Sequence, residues 1–252
     1  MKVCIVTGAS SGMGREFVLQ LDQQQKYDEI WVIARREEKL MELEGKTRAR
    51  IHPMAMDLEK PEGFSLLQRY LDTYKPEVAT LVNAAGFGRF GAFRELDIDE
   101  QMAMIDLNVK ALTRVTYMVL PYMTKGGEIY QLGSLSSFQP VPYIGVYGAG
   151  KAYVLSFSRM LNVELKKDGI KVMAVCPGWV KTDFFDRAAT DDTITYYNCF
   201  ATAQEVVTRA LKDMEKGRDV SVCKSQVRWQ VRAVKHLPHK LVMKIWCIQQ
   251  KK

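Results

Sequence analysis

The 252-residue sequence predicts an α/β fold, a single doubly wound domain built on a parallel sheet of about seven strands. Three observations lead there. Short apolar segments alternate with segments of helical periodicity along nearly the whole chain, the pattern of repeated βα units. The strand candidates are continuous apolar runs without in–out alternation, as a sheet covered on both faces requires. The first of them ends in a glycine-rich turn that opens into a helix, and sheets of this kind take ligands at the carboxyl ends of their strands.

Taken in order, "KVCIVTG" is a β-branched run closing on Gly8, followed by a helical pattern from about Met13 to Gln24. "EIWVIAR" is the second strand and "EEKLMELEG" a charged helical stretch. "RIHPMAMDL" reads as a third strand weakened by Pro53, because proline donates no ladder hydrogen bond. Residues 62–74 form a helix with Phe64, Leu67 and Leu71 on one face. "VATLVNAAG" is the fourth strand, residues 99–123 a long helix, and "GEIYQLGS" the fifth strand. Residues 147–167 give another long helix, "GIKVMAVCPG" the sixth strand, residues 203–217 a helix and "DVSV" a short seventh strand. Such a series implies right-handed crossovers.

Composition sets outer bounds. Hydrophobic residues make up 47% and charged residues 26%, ordinary for a globular chain. No run approaches the ~20 apolar residues needed to cross a bilayer. The apolar run begins at Val3 and leaves no room for a signal peptide, so a cytoplasmic protein is expected. Five scattered cysteines, with no CxxC pair and no histidine at ligand spacing, point to reduced thiols and to neither a disulfide framework nor a metal site. The net charge is +7, yet eight Lys/Arg and no acid lie from Val220 to the end. The first 219 residues therefore carry −1, and the basicity belongs to the tail.

The turn after the first strand reads "TGASSGMG", with glycines at 8, 12 and 14 around Ser10, Ser11 and Met13. Gly8 permits a tight turn, Gly12 lets backbone approach a pyrophosphate, and Gly14 lets the helix pack on the strand. The helix start adds unpaired N–H groups and a positive dipole end. This Gly-x-x-x-Gly-x-Gly spacing resembles the short-chain dehydrogenase/reductase family, from Val3 to about Val222. The resemblance implies a Rossmann-type domain.

A free ribose 2′-hydroxyl is held by an acid after the second strand, whereas a 2′-phosphate calls for arginine. Here that strand ends in Ala34, Arg35 and Arg36, with Glu37 and Glu38 placed to favour the next helix. NADP(H) is therefore expected in preference to NAD(H), with Arg35 on the phosphate and Arg36 on adenine or assisting. Asp57 and Leu58 resemble the family's adenine-contacting pair. "NAAG", with Asn83, Ala84 and Gly86, resembles the loop that steadies the sheet and lines the cofactor site.

In "YGAGK", Tyr147 and Lys151 lie four apart and so share one helical face. A fixed ammonium beside a phenol, whose free pKa is ~10, makes the phenol more acidic. Gly148 and Gly150 between them are expected to let cofactor and substrate come close. By resemblance, Asn108, Ser134, Tyr147 and Lys151 form the catalytic set for hydride transfer between nicotinamide and a carbonyl or alcohol carbon. Tyr147 is the general acid in reduction and the base in oxidation. Lys151 stabilises the phenolate and holds ribose hydroxyls, Ser134 donates to the substrate oxygen, and Asn108 orders a relay water. Ser136 and Ser137 are also near; Ser134 is chosen because it lies thirteen residues before Tyr147 and ends a strand. "CPGWVKTD" supplies Pro177, Gly178, Val180 and Thr182, with Thr182 on the carboxamide.

The following loop holds Phe184, Phe185, Tyr196, Tyr197 and Phe200, and Phe87, Phe90 and Phe93 follow "NAAG". These aromatics either build an apolar substrate wall, for a hydroxysteroid, acyl or aromatic ketone, or pack the loop onto the core. Residues 1–223 are read as the dinucleotide-binding and catalytic domain and 224–252 as a basic amphipathic helical extension. In that extension Val227, Val231 and Val234 make one face. A helix opened by Pro238 is expected to turn Leu241, Val242, Ile245 and Ile248 inward and Lys240, Lys244 and Lys251 outward. It reads as a lid or dimer element, or as a peripheral contact with anionic lipid; no recognition motif supports nucleic acid. Family resemblance suggests a homodimer or homotetramer. Two other functions fit parts of the pattern: a non-catalytic dinucleotide sensor, and an epimerase or dehydratase with bound cofactor.

Overall fold

The computed structural model describes residues 1–189 and 191–252. From the N-terminus the chain forms β1 (Lys2–Thr7), α1 (Gly12–Asp22), β2 (Glu29–Ala34), α2 (Glu37–Met41), β3 (Arg50–Ala55), α3 (Pro61–Tyr74) and β4 (Glu77–Asn83). It continues through α4 (Ile98–Ile105), a π-helical stretch (Asp106–Ala111), α5 (Leu112–Val119), β5 (Met123–Leu132) and α6 (Gly145–Glu164). The last third contains β6 (Lys171–Val175), β7 (Trp179–Lys181), α7 (Phe184–Ala188), β8 (Phe200–Thr202), α8 (Ala203–Glu215), β9 (Val220–Ser221), α9 (Ser225–Val234) and α10 (His239–Gln249).

Seven strands form one parallel sheet in the order β3-β2-β1-β4-β5-β6-β9. The direction of winding reverses between β1 and β4, and the carboxyl ends at that switch point open the crevice where ligands bind. Strand residues alternate between two cores. Cys4 and Val6 face a layer with Phe17, Val18 and Leu21 of α1 and Val206, Val207 and Ala210 of α8. Val3 and Ile5 face the opposite layer, with Phe64, Leu67 and Leu71 of α3 and Val115 and Val119 of α5. Both layers are apolar, which is why the strands read as unbroken hydrophobic runs. Pro53 sits within β3 opposite Val32; β3 is an edge strand, so the missing donor faces no neighbour.

Some boundaries differ from expectation. The helix expected over 99–123 is broken into α4, the π stretch, α5 and a 3-10 turn at Leu120–Tyr122, and β5 already starts at Met123. The expected charged helix after β2 is the five-residue α2. The small parallel pair β7–β8 was not anticipated. No helix among the described residues is long and apolar enough to cross a membrane.

The tail is two helices. α9 buries Val227 and Val231 against Ala174, Cys176 and Val222, continuing the core beyond β9. In α10 the inward stripe differs from the expected one. Val242 is buried, but Leu241 and Ile248 are 44% and 64% exposed. Trp246 takes the inward place, donating from Nε1 to the Pro142 carbonyl at 2.9 Å. Directly after α10, buried Gln250 accepts from the Thr195 and Tyr196 amides at 2.8 and 3.0 Å and donates to the Tyr196 carbonyl at 3.2 Å.

Candidate active site

A cavity of about 770 Å³ lies over the carboxyl ends of the strands, from the glycine turn to α10. At its first end the backbone leaves no room for side chains. Gly8 has φ +68°, and a Cβ there would meet Ala85 N at 2.7 Å and Ala84 O at 2.8 Å. Gly14 faces the Gly8 carbonyl so closely that a Cβ would collide with it. Ser11, the N-cap of α1, makes no side-chain cap, and the first turn of the helix holds no acid. The first-turn N–H groups are thus presented to the crevice, the arrangement that binds a phosphate. Thr7 Oγ1 accepts from the Ala84 and Ala85 amides, both at 3.1 Å, and ties the second strand-end loop to the first.

Arg35 and Arg36 line the adjoining wall with Asp57, Leu58 and Glu59. Arg35 reaches Glu59 only at 3.5 Å, and Arg36 contacts Ser10 Oγ at 3.4 Å. Burial pushes the Glu59 carboxyl up, and neighbouring Asp57 adds to that rise. A glycine cradle, an uncapped helix N-terminus and two loosely held arginines fit a dinucleotide's phosphates.

Ala84, Gly86, Pro177, Gly178, Val180 and Thr182 line the same cavity, with Ser10, Ser11, Gly12 and Met13. Two expected residues do not. Asn83 points into the helix layer, donating from Nδ2 to Thr116 Oγ1 at 3.0 Å. Asn108 is buried in the π stretch, accepting from the Phe87 amide at 3.1 Å and donating to the Phe87 carbonyl at 2.8 Å. A Cβ on Gly86 would meet Asn108 Oδ1 at 2.5 Å and Lys151 Nζ at 3.6 Å, so Asn108 and Lys151 flank one glycine. The sequence signal for a π stretch is nil, because it differs from an α-helix only in hydrogen-bond register.

Tyr147 and Lys151 project from α6 into the far half of the cavity. Gly148 and Gly150 do not clear space for ligands, as expected from sequence; they face Ser136 and Val109, at 3.7 and 3.4 Å from where a Cβ would stand. Small residues here let α6 lie against the serine turn and the π stretch. Buried Lys151 donates from Nζ to the Leu132 carbonyl at 2.7 Å, and the same Nζ lies 5.6 Å from the Tyr147 ring centre.

The expected acidification of Tyr147 is not what the protein alone provides. Burial pushes the phenol up to about 12, against a smaller opposite pull from the Ser134 hydroxyl. Burial also brings the Lys151 ammonium down to about 8. Desolvation disfavours both charged forms.

The three serines differ in their partners. Ser137 Oγ donates to the Lys151 carbonyl at 2.7 Å and is spent on packing. Ser136 Oγ is buried without a hydrogen bond. Ser134 Oγ accepts from the Ser136 amide at 3.2 Å, which leaves its own proton for the cavity it lines.

Around Tyr147 the wall is aromatic. Phe90 and Phe184 approach its ring at 6.1 and 5.6 Å between centroids. Trp179, Phe185, Tyr196 and the α10 residues Ile245 and Trp246 complete this end. Of the other expected wall residues, Phe93 is 68% exposed, while Tyr197 packs behind the cavity on Trp179 with ring centres 4.8 Å apart. Phe200 likewise packs on Phe185 and Tyr197. The tail was expected as a lid or dimer element; α9 and α10 contribute Gln230, Val234, Val242, Ile245, Trp246 and Gln249 to the cavity lining.

Fold and cavity define a doubly wound α/β oxidoreductase with its reacting groups at the carboxyl end of the sheet. Residues 2–193 match the family model for short chain dehydrogenases, and the chain belongs to that family. It acts on the alcohol–carbonyl couple. It is 34% identical over 204 residues to sulfoacetaldehyde reductase 2 of Chromohalobacter salexigens, covering 75% of this chain and 79% of that one. A short-chain dehydrogenase from Sphingobium yanoikuyae, solved in complex with NADPH, superposes with TM-score 0.79 at 27% identity, covering 92% of each chain. The bulky-bulky ketone specific alcohol dehydrogenase of Comamonas testosteroni, in its tetragonal crystal form, superposes with TM-score 0.72 at 25% identity, covering 92% of this chain and 91% of that one.

Proposed function

We propose that the protein is an NADP(H)-dependent reductase of bulky, apolar ketones. One observation carries the reading: Tyr147, Ser134 and Lys151 meet at the aromatic end of a cavity whose other end holds the glycine cradle and Arg35 and Arg36. Gly8 to Gly14, Arg35, Arg36, Asp57, Leu58, Ala84, Gly86, Pro177, Gly178, Val180 and Thr182 would hold the dinucleotide. Asn83 supports that surface from beneath. When bound, the dinucleotide supplies the hydride.

The protein's own groups do the proton work. With its pKa raised to about 12, Tyr147 is protonated throughout the physiological range and stands ready to give a proton to a carbonyl oxygen. Ser134 donates a second hydrogen bond to that oxygen as charge develops on it. Lys151, positive below about pH 8, steadies the phenolate that Tyr147 leaves behind and holds ribose hydroxyls. Asn108 fixes Phe87 and so the Gly86 turn beside Lys151. Phe90 and Phe184 exclude water from the transfer.

The substrate class follows from the lining. Phe90, Trp179, Phe184, Phe185, Ile245 and Trp246 offer a broad apolar area around Tyr147. A sulfonated aldehyde, the substrate in the name of the 34% identical relative, is small and anionic and would leave that apolar area unfilled. Residues 224–252 serve as a wall of the substrate end. The five cysteines stand as free thiols, which supports the reducing cytoplasm.

The test is oxidation of NADPH and NADH with a panel of steroid ketones, aryl ketones and sulfoacetaldehyde. NADPH with the bulky ketones should be turned over fastest. Tyr147→Phe should lower that rate about 10²–10⁴-fold while leaving NADPH binding in place. Turnover of sulfoacetaldehyde alone would replace the apolar reading.

A further inference from the structure

The cavity holds an arginine that the sequence reading did not place. Arg187, on the last turn of α7, lies flat on the Phe87 ring with its guanidinium carbon 3.3 Å from the centroid. Stacking holds a guanidinium by its face and leaves the N–H edge free. Among the described residues that edge has no hydrogen bond and no ion pair: only the Arg187 carbonyl is engaged, by Arg89 Nη1 at 3.1 Å. Arg89 is itself paired with Glu100 at 3.0 Å. Arg187 lines the same cavity as Arg35 and Glu59, and both act on its charge.

The arginines of the cavity are loosely held among the described residues. Arg35 has Glu59 at 3.5 Å, while Arg36 and Arg187 have no carboxylate partner. Asp57 Oδ1 accepts from the Glu59 amide at 3.0 Å, and Asp106 is paired with Lys110. Asp57, Glu59, Asp183 and Asp186 line the same cavity, yet none of them pairs with Arg187 among the described residues, and a half-buried, partnerless arginine calls for an anion. α7 also carries Phe184 and Phe185, which line the substrate end.

We propose that Arg187 is a third cation of the adenosine 2′-phosphate site, reaching across from the substrate-side helix. A 2′-phosphorylated dinucleotide then fastens α7 over the crevice and sets Phe184 and Phe185 against the substrate. The inference rests on the NADP(H) reading. It assigns cofactor selectivity to both sides of the crevice instead of to the β2 arginines alone.

The experiment is calorimetric titration with 2′,5′-ADP and with 5′-AMP, which lacks the 2′-phosphate, on the wild type and on Arg187→Gln. Amide exchange of α7 is followed in parallel. In the wild type 2′,5′-ADP should bind more tightly than 5′-AMP and slow exchange in α7, which 5′-AMP should not do. Arg187→Gln should cut the 2′,5′-ADP preference about tenfold or more, leave 5′-AMP affinity unchanged and abolish the slowing. A preference retained in Arg187→Gln overturns this inference and leaves the NADP(H) reading standing. Parallel loss of affinity for both nucleotides also overturns it, by placing Arg187 on the 5′-phosphate or on the fold. No preference in the wild type sinks the NADP(H) reading, and this inference with it.

Discussion

Burial works on Tyr147 and Lys151 in opposite directions, raising the pKa of the phenol and lowering that of the ammonium. Lys151 loses hydration inside the protein and receives only the Leu132 carbonyl in return, so its pKa falls to about 8. Below that value it is an ammonium able to hold ribose oxygens; above it the charge is lost. NADPH affinity should therefore weaken as pH rises through about 8. Fluorescence titration should show the same step in Tyr147→Phe, because the phenol does not titrate there, and no step in Lys151→Met. A step that disappears with the phenol instead would assign the titration to Tyr147. The chain order of the proposed catalytic set follows from motifs, each member sitting on its own strand end or helix turn. The proton balance does not, since burial depends on Phe90 and Phe184, which are distant in sequence.

Among the elements, α10 carries the least anticipated role. It is short and half exposed, and on helix propensity alone it would fray. What fixes it is the clasp at its end, where Gln250 satisfies two amides and one carbonyl of the 195–196 segment, and Trp246 reaches Pro142. Gln250→Ala removes all three of those partners, a loss of about 1–3 kcal/mol for local opening. Amide exchange at Thr195 and Tyr196 should accelerate about 5–150-fold, with core strands such as β4 unaffected. KM for a bulky ketone should rise with it, because Tyr196 lines the cavity. Unchanged exchange at both amides would refute the clasp. The main strands and helices were legible because their apolar period reports burial directly. The clasp was not: a glutamine that pairs with backbone 54 and 55 residues away has no local signature. β7 and β8 were missed for a related reason, since three-residue strands are defined by their partner more than by composition.

At the scale of the whole molecule, the cavity is where separate layers meet. β1, β2 and β4 bring the phosphate end, β5 and α6 the reacting groups, and α7, α9 and α10 the substrate wall. Helices so placed have little core of their own: α7 buries Ala188 and α10 buries Val242. A ligand that spans the crevice therefore supplies contacts that the apoprotein lacks, and stability should rise with it by mass action. At 100 times its dissociation constant a ligand adds about 2.7 kcal/mol. For a chain of this size each kcal/mol moves the midpoint by about 2–4 °C. NADPH should raise Tm by about 5–10 °C in a thermal scan, and NADH at equal concentration by less. Arg35→Asp removes a cation from the 2′-phosphate wall and frees Glu59 to repel it, so the difference between the two cofactors should shrink or reverse. An equal shift from NADPH and NADH in the wild type would mean that the arginines at the end of β2 answer to solvent, and that the protein does not select between the two dinucleotides.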